Sequence, residues 1–174
     1  MDIVPFGPGA GGPKFRWPND PEVEMNVEGY PDAARAASQV DVGGTVIDVL
    51  DTPGLALLKL FAWNDRHAAT RKDASDLYTL LSHYAELGNI ERMYDDPALL
   101  DDVGHDYQRG SARLLGRDVR QLCSAGTLLA VQSVLTPANV RQLALDAYAE
   151  RSDLDSPPDM FHELLNDLAG ELRG

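Results

Sequence analysis

Over roughly the first fifty residues apolar and polar positions alternate with a period near two, and beyond them the spacing becomes helical. Met1 to Phe6, MDIVPF, reads as a short strand at a sheet edge, because Pro5 cannot donate to a ladder. Residues 7–21 are rich in glycine and proline and predict a loop. Glu22 to Val27 alternates as a half-exposed strand does, and Pro31 to Ser38 predicts a short helix with proline in its first turn. Val40 to Leu50, VDVGGTVIDVL, consists of two alternating runs around Gly43-Gly44, a signal for a tight hairpin.

From Thr52 onward the chain predicts helices. Thr52 and Pro53 suit the cap and first position of a helix that runs to about Asn64 and is apolar on nearly every side, as a central buried helix is. Asp73 to Leu87 is the next, with Ala74, Leu77, Leu81 and Tyr84 as its apolar stripe and Gly88 as its stop. Short acidic helices follow at Asn89–Asp95 and Pro97–Val103. Asp106 to Ser124 sets Leu114, Leu115, Val119 and Leu122 on one side and Arg109, Arg113, Arg117 and Arg120 on another. Gly126 opens a further apolar run, Thr136-Pro137 repeats the cap-and-proline start, and Asp159 to Leu172 closes with Phe161, Leu164, Leu165 and Leu168 facing inward. The expected fold is α+β and mostly α: a small N-terminal partial sheet, mixed or antiparallel, over residues 1–51, then a helical bundle of about six helices over residues 52–174.

Composition narrows the partners. A net charge of −13 disfavours broad, nonspecific attraction to nucleic acid or anionic membranes. Only three lysines occur, and two of them, Lys59 and Lys72, fall beside Arg66 and Arg71 in an otherwise acidic chain. That cluster is either a local site for phosphate or carboxylate or a solvated basic turn between helices. With Cys123 as the single cysteine, no disulfide forms within the chain, and a buried thiol acting as a small hydrophobe is expected. No signal peptide or membrane-length apolar run is visible, so a cytoplasmic protein is expected.

The candidate chemistry gathers between Leu55 and Leu81. Lys59 interrupts an apolar run and must snorkel to water, meet an anion, or pair with Asp73 or Asp76. Asp73 and Asp76 also have the spacing of a helix cap and first-turn acid, which accounts for both without a ligand. The arginine stripe between 109 and 120 could approach an RNA backbone or form a salt-linked face. Lys14, Arg16 and Trp17 could touch a nucleotide or simply anchor a loop. His67 and His83 lack partners at metal spacing, and the DLD at Asp153 to Asp155 sits in a proline-rich break where no strand supports it.

An apolar helix with one central lysine, a short polar connection and a second helix opening on KDxxDL resembles the predicted nucleotidyltransferases of the AbiEii toxin type. DIVPFG, VDVGGTVIDVLDTPGLALLKL and SARLLGRDVRQL also resemble segments of that family, so the similarity spans about residues 1 to 125. The resemblance implies transfer of a nucleotide from an NTP, with Mg2+, to an acceptor such as a tRNA end, as the toxin of a bacterial toxin-antitoxin pair. It makes the small sheet a remnant of a nucleotidyltransferase sheet. It casts Asp2 as a metal-site carboxylate, Lys59 as the triphosphate clamp with Arg71 and Lys72 as further nucleotide contacts, and Asp73 and Asp76 as orienting acids. The family's Gly-Ser turn and paired aspartates have no counterpart in the sequence, so the chain alone is expected to be inactive. An antitoxin protein or a complementing N-terminal chain is the implied partner. The alternative is a noncatalytic relative that binds a protein or dimerises through an open sheet edge.

Overall fold

The computed structural model describes residues 14–17, 20–151 and 158–174. The expectations placed on Met1–Phe6 with Asp2, on the Trp17 side chain and on Asp153–Asp155 lie outside the described residues. The N-terminal elements are β1 (Lys14–Trp17), β2 (Asp20–Asn26), α1 (Tyr30–Ala36), β3 (Ser38–Val42) and β4 (Thr45–Val49). There follow α2 (Thr52–Arg66), α3 (Lys72–His83), α4 (Ile90–Tyr94), α5 (Tyr107–Leu122), α6 (Ala125–Val134), α7 (Pro137–Glu150) and α8 (Pro158–Arg173). Two 3-10 turns, Pro97–Leu99 and Asp101–Val103, join α4 to α5. The fold is thus α+β and mostly α, and its strands form two separate antiparallel pairs, β1 with β2 and β3 with β4.

The loop expected over 7–21 is corrected at its second half, where Lys14–Trp17 is a strand with Phe15 opposite Met25 and Arg16 opposite Glu24. The glycines and prolines that break regular structure are concentrated before Lys14, whereas KFRW alternates cationic and aromatic residues. Glu24 on the neighbouring strand pairs with both Lys14 and Arg16, which links the two strands on one face.

Helix α2 is central. Ala56, Leu57, Leu60, Phe61 and Trp63 are all buried, in one cluster with Leu77 and Leu81 of α3, Leu115 and Val119 of α5, Leu143 of α7 and Leu164, Leu165 and Leu168 of α8. Its cap is Asp51 rather than the expected Thr52: the Asp51 carboxylate accepts from the Gly54 N–H at 2.8 Å, and a carboxylate at the positive helix end serves this purpose better than a hydroxyl. Helices α5, α6 and α7 are capped by side chains: Asp106 and Thr136 accept from the Arg109 and Asn139 N–H groups at the starts the sequence predicts, and Ser124, expected as the end of the preceding helix, instead caps α6 by accepting from the Thr127 N–H. Gly116 lets α5 and α8 approach closely, since a Cβ there would stand 2.9 Å from the Leu168 carbonyl oxygen.

Helix α1 belongs physically to this helical body. Its buried Asp32 accepts from the Ser124 N–H at 3.0 Å, and Arg35 donates to the Leu122 carbonyl at 2.9 Å. By contrast, no residue of the β3–β4 hairpin is buried. Its turn is the Gly43-Gly44 pair, at φ 62° and 87°, with the Asp41 carboxylate accepting from the Gly44 N–H at 2.7 Å.

Candidate functional site

Helix periodicity assembles the charge cluster at the α2–α3 junction. Lys59 and Arg66 are two turns apart and so share a face of α2, while Asp73 and Asp76 share a face in the first turns of α3. The short connection folds α3 back, and the two faces meet. Lys59 Nζ lies 3.0 Å from Asp73 Oδ1 and 2.5 Å from Asp76 Oδ2. Arg66 grips Asp73 with two bonds, Nε at 2.7 Å and Nη2 at 2.9 Å.

Exposure separates the four groups. The Asp73 side chain is 1% exposed and that of Lys59 21%, whereas Asp76 is 37% and Arg66 56% exposed. Burial alone would raise the Asp73 pKa, but the hydrogen bonds from Arg66 and Lys59 outweigh it and hold the carboxyl below its ordinary value. Burial likewise works to lower the Lys59 pKa, and the bonds to Asp76 and Asp73 keep it above the usual lysine value. Two cations and two carboxylates thus meet at the junction, and their formal charges cancel.

This geometry corrects the capping account of Asp73. Helix α3 begins at Lys72, its cap position is Arg71 without a side-chain bond, and the Asp73 carboxylate binds the two cations instead. Of the other predicted nucleotide contacts, Arg71 turns to a different acid, with Nε 3.5 Å from Asp146 Oδ1, and Lys72 is exposed. Asp146 is buried and also accepts from Trp63 Nε1 and Gln142 Nε2, each at 2.9 Å. His67 stacks on Trp63 with centroids 4.7 Å apart.

Sequence reasoning left Arg66 out of the site and missed Asp146. The signal for Arg66 was its two-turn spacing from Lys59. The signal for Asp146 was its place among Leu143, Ala144 and Ala147, an acid on an inward-facing stripe.

The arginine stripe of α5 forms a salt-linked face, and that face lies against α8. Arg109 binds Asp167 at 2.7 Å, while Arg113 and Arg117 share Glu171 at 2.7 and 2.8 Å. Arg117 also pairs with Asp96, and Arg120 donates to the Glu171 carbonyl at 3.2 Å. Of the two readings of this stripe, the salt-linked face is the one these contacts describe.

A polar cleft of about 510 Å³ opens where α2 starts, lined by Asp51, Thr52, Tyr84, Arg92 and Asp118 among others. Within it Arg92 clasps Asp118 at 2.7 and 2.9 Å, and the Tyr84 hydroxyl donates to the same carboxylate at 2.5 Å. Burial first, then Asp118, pushes the Tyr84 pKa well above the usual phenol value. Burial also pushes the Cys123 thiol up to about 12, as expected of an inert cysteine.

Among the described residues no three His, Cys, Asp or Glu side chains are grouped to hold a metal ion. No helix among them is long and apolar enough to cross a membrane. Compared with family models, curated proteins and solved structures, the chain matches none.

Proposed function

We propose that the α2–α3 junction is the triphosphate clamp of a nucleotidyltransferase-like protein, in which Lys59 and Arg66 receive phosphate oxygens and Asp76 is the carboxylate that gives way. The observation that carries this reading is that one buried carboxylate, Asp73, holds both cations. Asp73, Lys59 and Arg66 together carry one positive charge, which Asp76 cancels from a half-exposed position. A phosphate oxygen in place of Asp76 keeps the Lys59 ammonium satisfied and adds a charge-assisted bond at Arg66. The choice of an NTP over other phosphates, and of a tRNA end or similar acceptor in a toxin-antitoxin setting, rests on the resemblance of Lys59 to Leu77 to the AbiEii-type enzymes.

The described residues fit a triphosphate better than they fit its Mg2+, for which they supply no donor set. Isothermal titration with ATP, CTP, GTP and UTP, with and without Mg2+, tests the clamp. Wild-type chain should bind at least one NTP, Lys59→Ala should weaken that binding tenfold or more, and Asp76→Asn should strengthen it. Absence of binding by the wild type, or binding indifferent to Lys59→Ala, sinks the reading. The internal cancellation of charge favours a second reading, a noncatalytic relative in which the cluster only joins α2 to α3. In that case the titrations stay flat and the substitutions change stability alone.

A further inference from the structure

The β3–β4 hairpin has two unlike faces. Its register sets Val40 opposite Ile47 and Val42 opposite Thr45, so Val40, Val42, Ile47 and Val49 share one face and Gln39, Asp41, Val46 and Asp48 the other. The four apolar side chains are 42%, 58%, 44% and 42% exposed, in that order. Among the described residues both edges are open as well. Pairing across a two-residue turn aims the backbone groups of Gln39, Asp41, Val46 and Asp48 outward, and among the described residues no backbone hydrogen bond joins either strand to an element outside the hairpin. A two-stranded hairpin without an apolar cover is marginal in water, and unpaired edges recruit further strands.

Charge identifies the occupant. No lysine, arginine or histidine occurs between Arg35 and Lys59, while Asp41, Asp48 and Asp51 do, and the chain as a whole stands at −13. A second copy would bring the same acids to the same edge.

We infer that the β3–β4 hairpin is a docking edge for a strand of a basic protein, added in plane so that its apolar residues extend the Val40–Val42–Ile47–Val49 face and its basic residues extend the Asp41–Asp48 face. Recognition is then by main-chain hydrogen bonds, with alternation and charge setting specificity. The docking edge is independent of the anion clamp, which occupies other elements.

Fluorescence anisotropy of labelled nine-residue peptides against the full chain tests it, with alternating Val-Lys, alternating Val-Glu, and a scrambled Val-Lys of equal composition as probes. The alternating Val-Lys peptide should bind at least tenfold more tightly than either of the others. Val42→Thr with Ile47→Thr should weaken it about tenfold with an unchanged circular-dichroism spectrum, and backbone amide shifts should concentrate on one edge, at Gln39 and Asp41 where the peptide adds to β3 or at Val46 and Asp48 where it adds to β4. Asp41→Asn with Asp48→Asn, in which the amide oxygen can still accept from Gly44, should weaken it a few-fold and flatten its salt dependence. Failure of the Val-Lys peptide to bind, equal binding of Val-Glu, or indifference to the valine and isoleucine changes overturns the proposal. So does concentration-dependent dimerisation that Val42→Thr with Ile47→Thr abolishes, because the face then belongs to a second copy.

Discussion

The chain contains two sets of cations at helical spacing, and they meet their counter-charges in different ways. On α5 the arginines are anchored on acids of α8 that are 54 to 58 residues distant and enclosed, Asp167 at 11% and Glu171 at 14% side-chain exposure, and Arg113 and Arg117 reach the exposed Asp102 and Asp96 in addition. At the α2–α3 junction the acids come from the very next helix, and one is enclosed while the other, Asp76, stands half in water. Enclosure decides what such a cluster can do. An acid held between two packed helices is released only by parting them, whereas an acid at the rim can be exchanged for an anion from solution without unfolding.

The largest effect should come from the acid that anchors the exchangeable cluster. Asp73→Ala removes the partner of both Lys59 and Arg66 from a buried position. It should cost about 2–4 kcal/mol, toward the low side for a broken buried pair because Lys59 keeps Asp76 and Arg66 reaches water. Urea denaturation followed by circular dichroism would read this as a lowered midpoint. The same change should abolish NTP binding. Glu171→Ala, which strips Arg113 and Arg117 of a shared acid, should cost about 1–2 kcal/mol and leave NTP binding alone. A loss of NTP binding in Glu171→Ala as large as that in Asp73→Ala would erase the distinction between the two clusters.

Acid titration sharpens the comparison at the next level. The Asp73 carboxyl lies below its ordinary value of 3.8 in the folded protein, so the unfolded chain takes up a proton first as pH falls. The stability from this group is therefore complete above pH 3.8 and is lost as pH falls through the lower folded value. Asp32 contributes with the same sign, since burial opposes its charge but bonds from Thr127, Ser124 and Arg35 prevail. Melting temperatures between pH 6 and pH 2, taken as experimental limits about the carboxylate range, should show a shallower acid limb in Asp73→Asn than in the wild type. An identical limb would mean that the carboxylate contributes nothing to the folded state.

Local features were legible in the sequence and long-range pairing was not. The Gly43-Gly44 turn and the starts of α5 and α7 follow from a few neighbouring residues, and they stand where those residues place them. The inward stripe of α8 at Phe161, Leu164, Leu165 and Leu168 was equally plain, because burial repeats with the helix period. The charged groups followed no such local rule. Asp32 finds Ser124 and Asp146 finds Trp63 across about half of the chain, and an acid in a helix carries no mark of which distant donor will enclose it. Lys59 was legible as a residue that must snorkel, meet an anion or pair with Asp73 or Asp76, and the pairing is what the fold makes. That Asp73 and Asp76 both fill this need, with one buried and one half-exposed, depends on how tightly α2 and α3 pack.

The smallest expected change in stability belongs to the residue on which the functional reading turns. Asp76 is 37% exposed, so solvent already screens its pairing with Lys59. Asp76→Asn should therefore shift stability by only about 0–1 kcal/mol, with Lys59 still held by Asp73 at 3.0 Å. The cluster would then carry one net positive charge in a nearly intact fold, and an anion would no longer compete with a resident carboxylate. Chemical denaturation paired with titration of inorganic triphosphate separates the outcomes. An unchanged midpoint with tighter triphosphate binding is expected of an exchangeable acid. A midpoint lowered as far as in Asp73→Ala, with no gain in binding, would make Asp76 as structural as Glu171 and reduce the α2–α3 junction to a second helix-joining cluster.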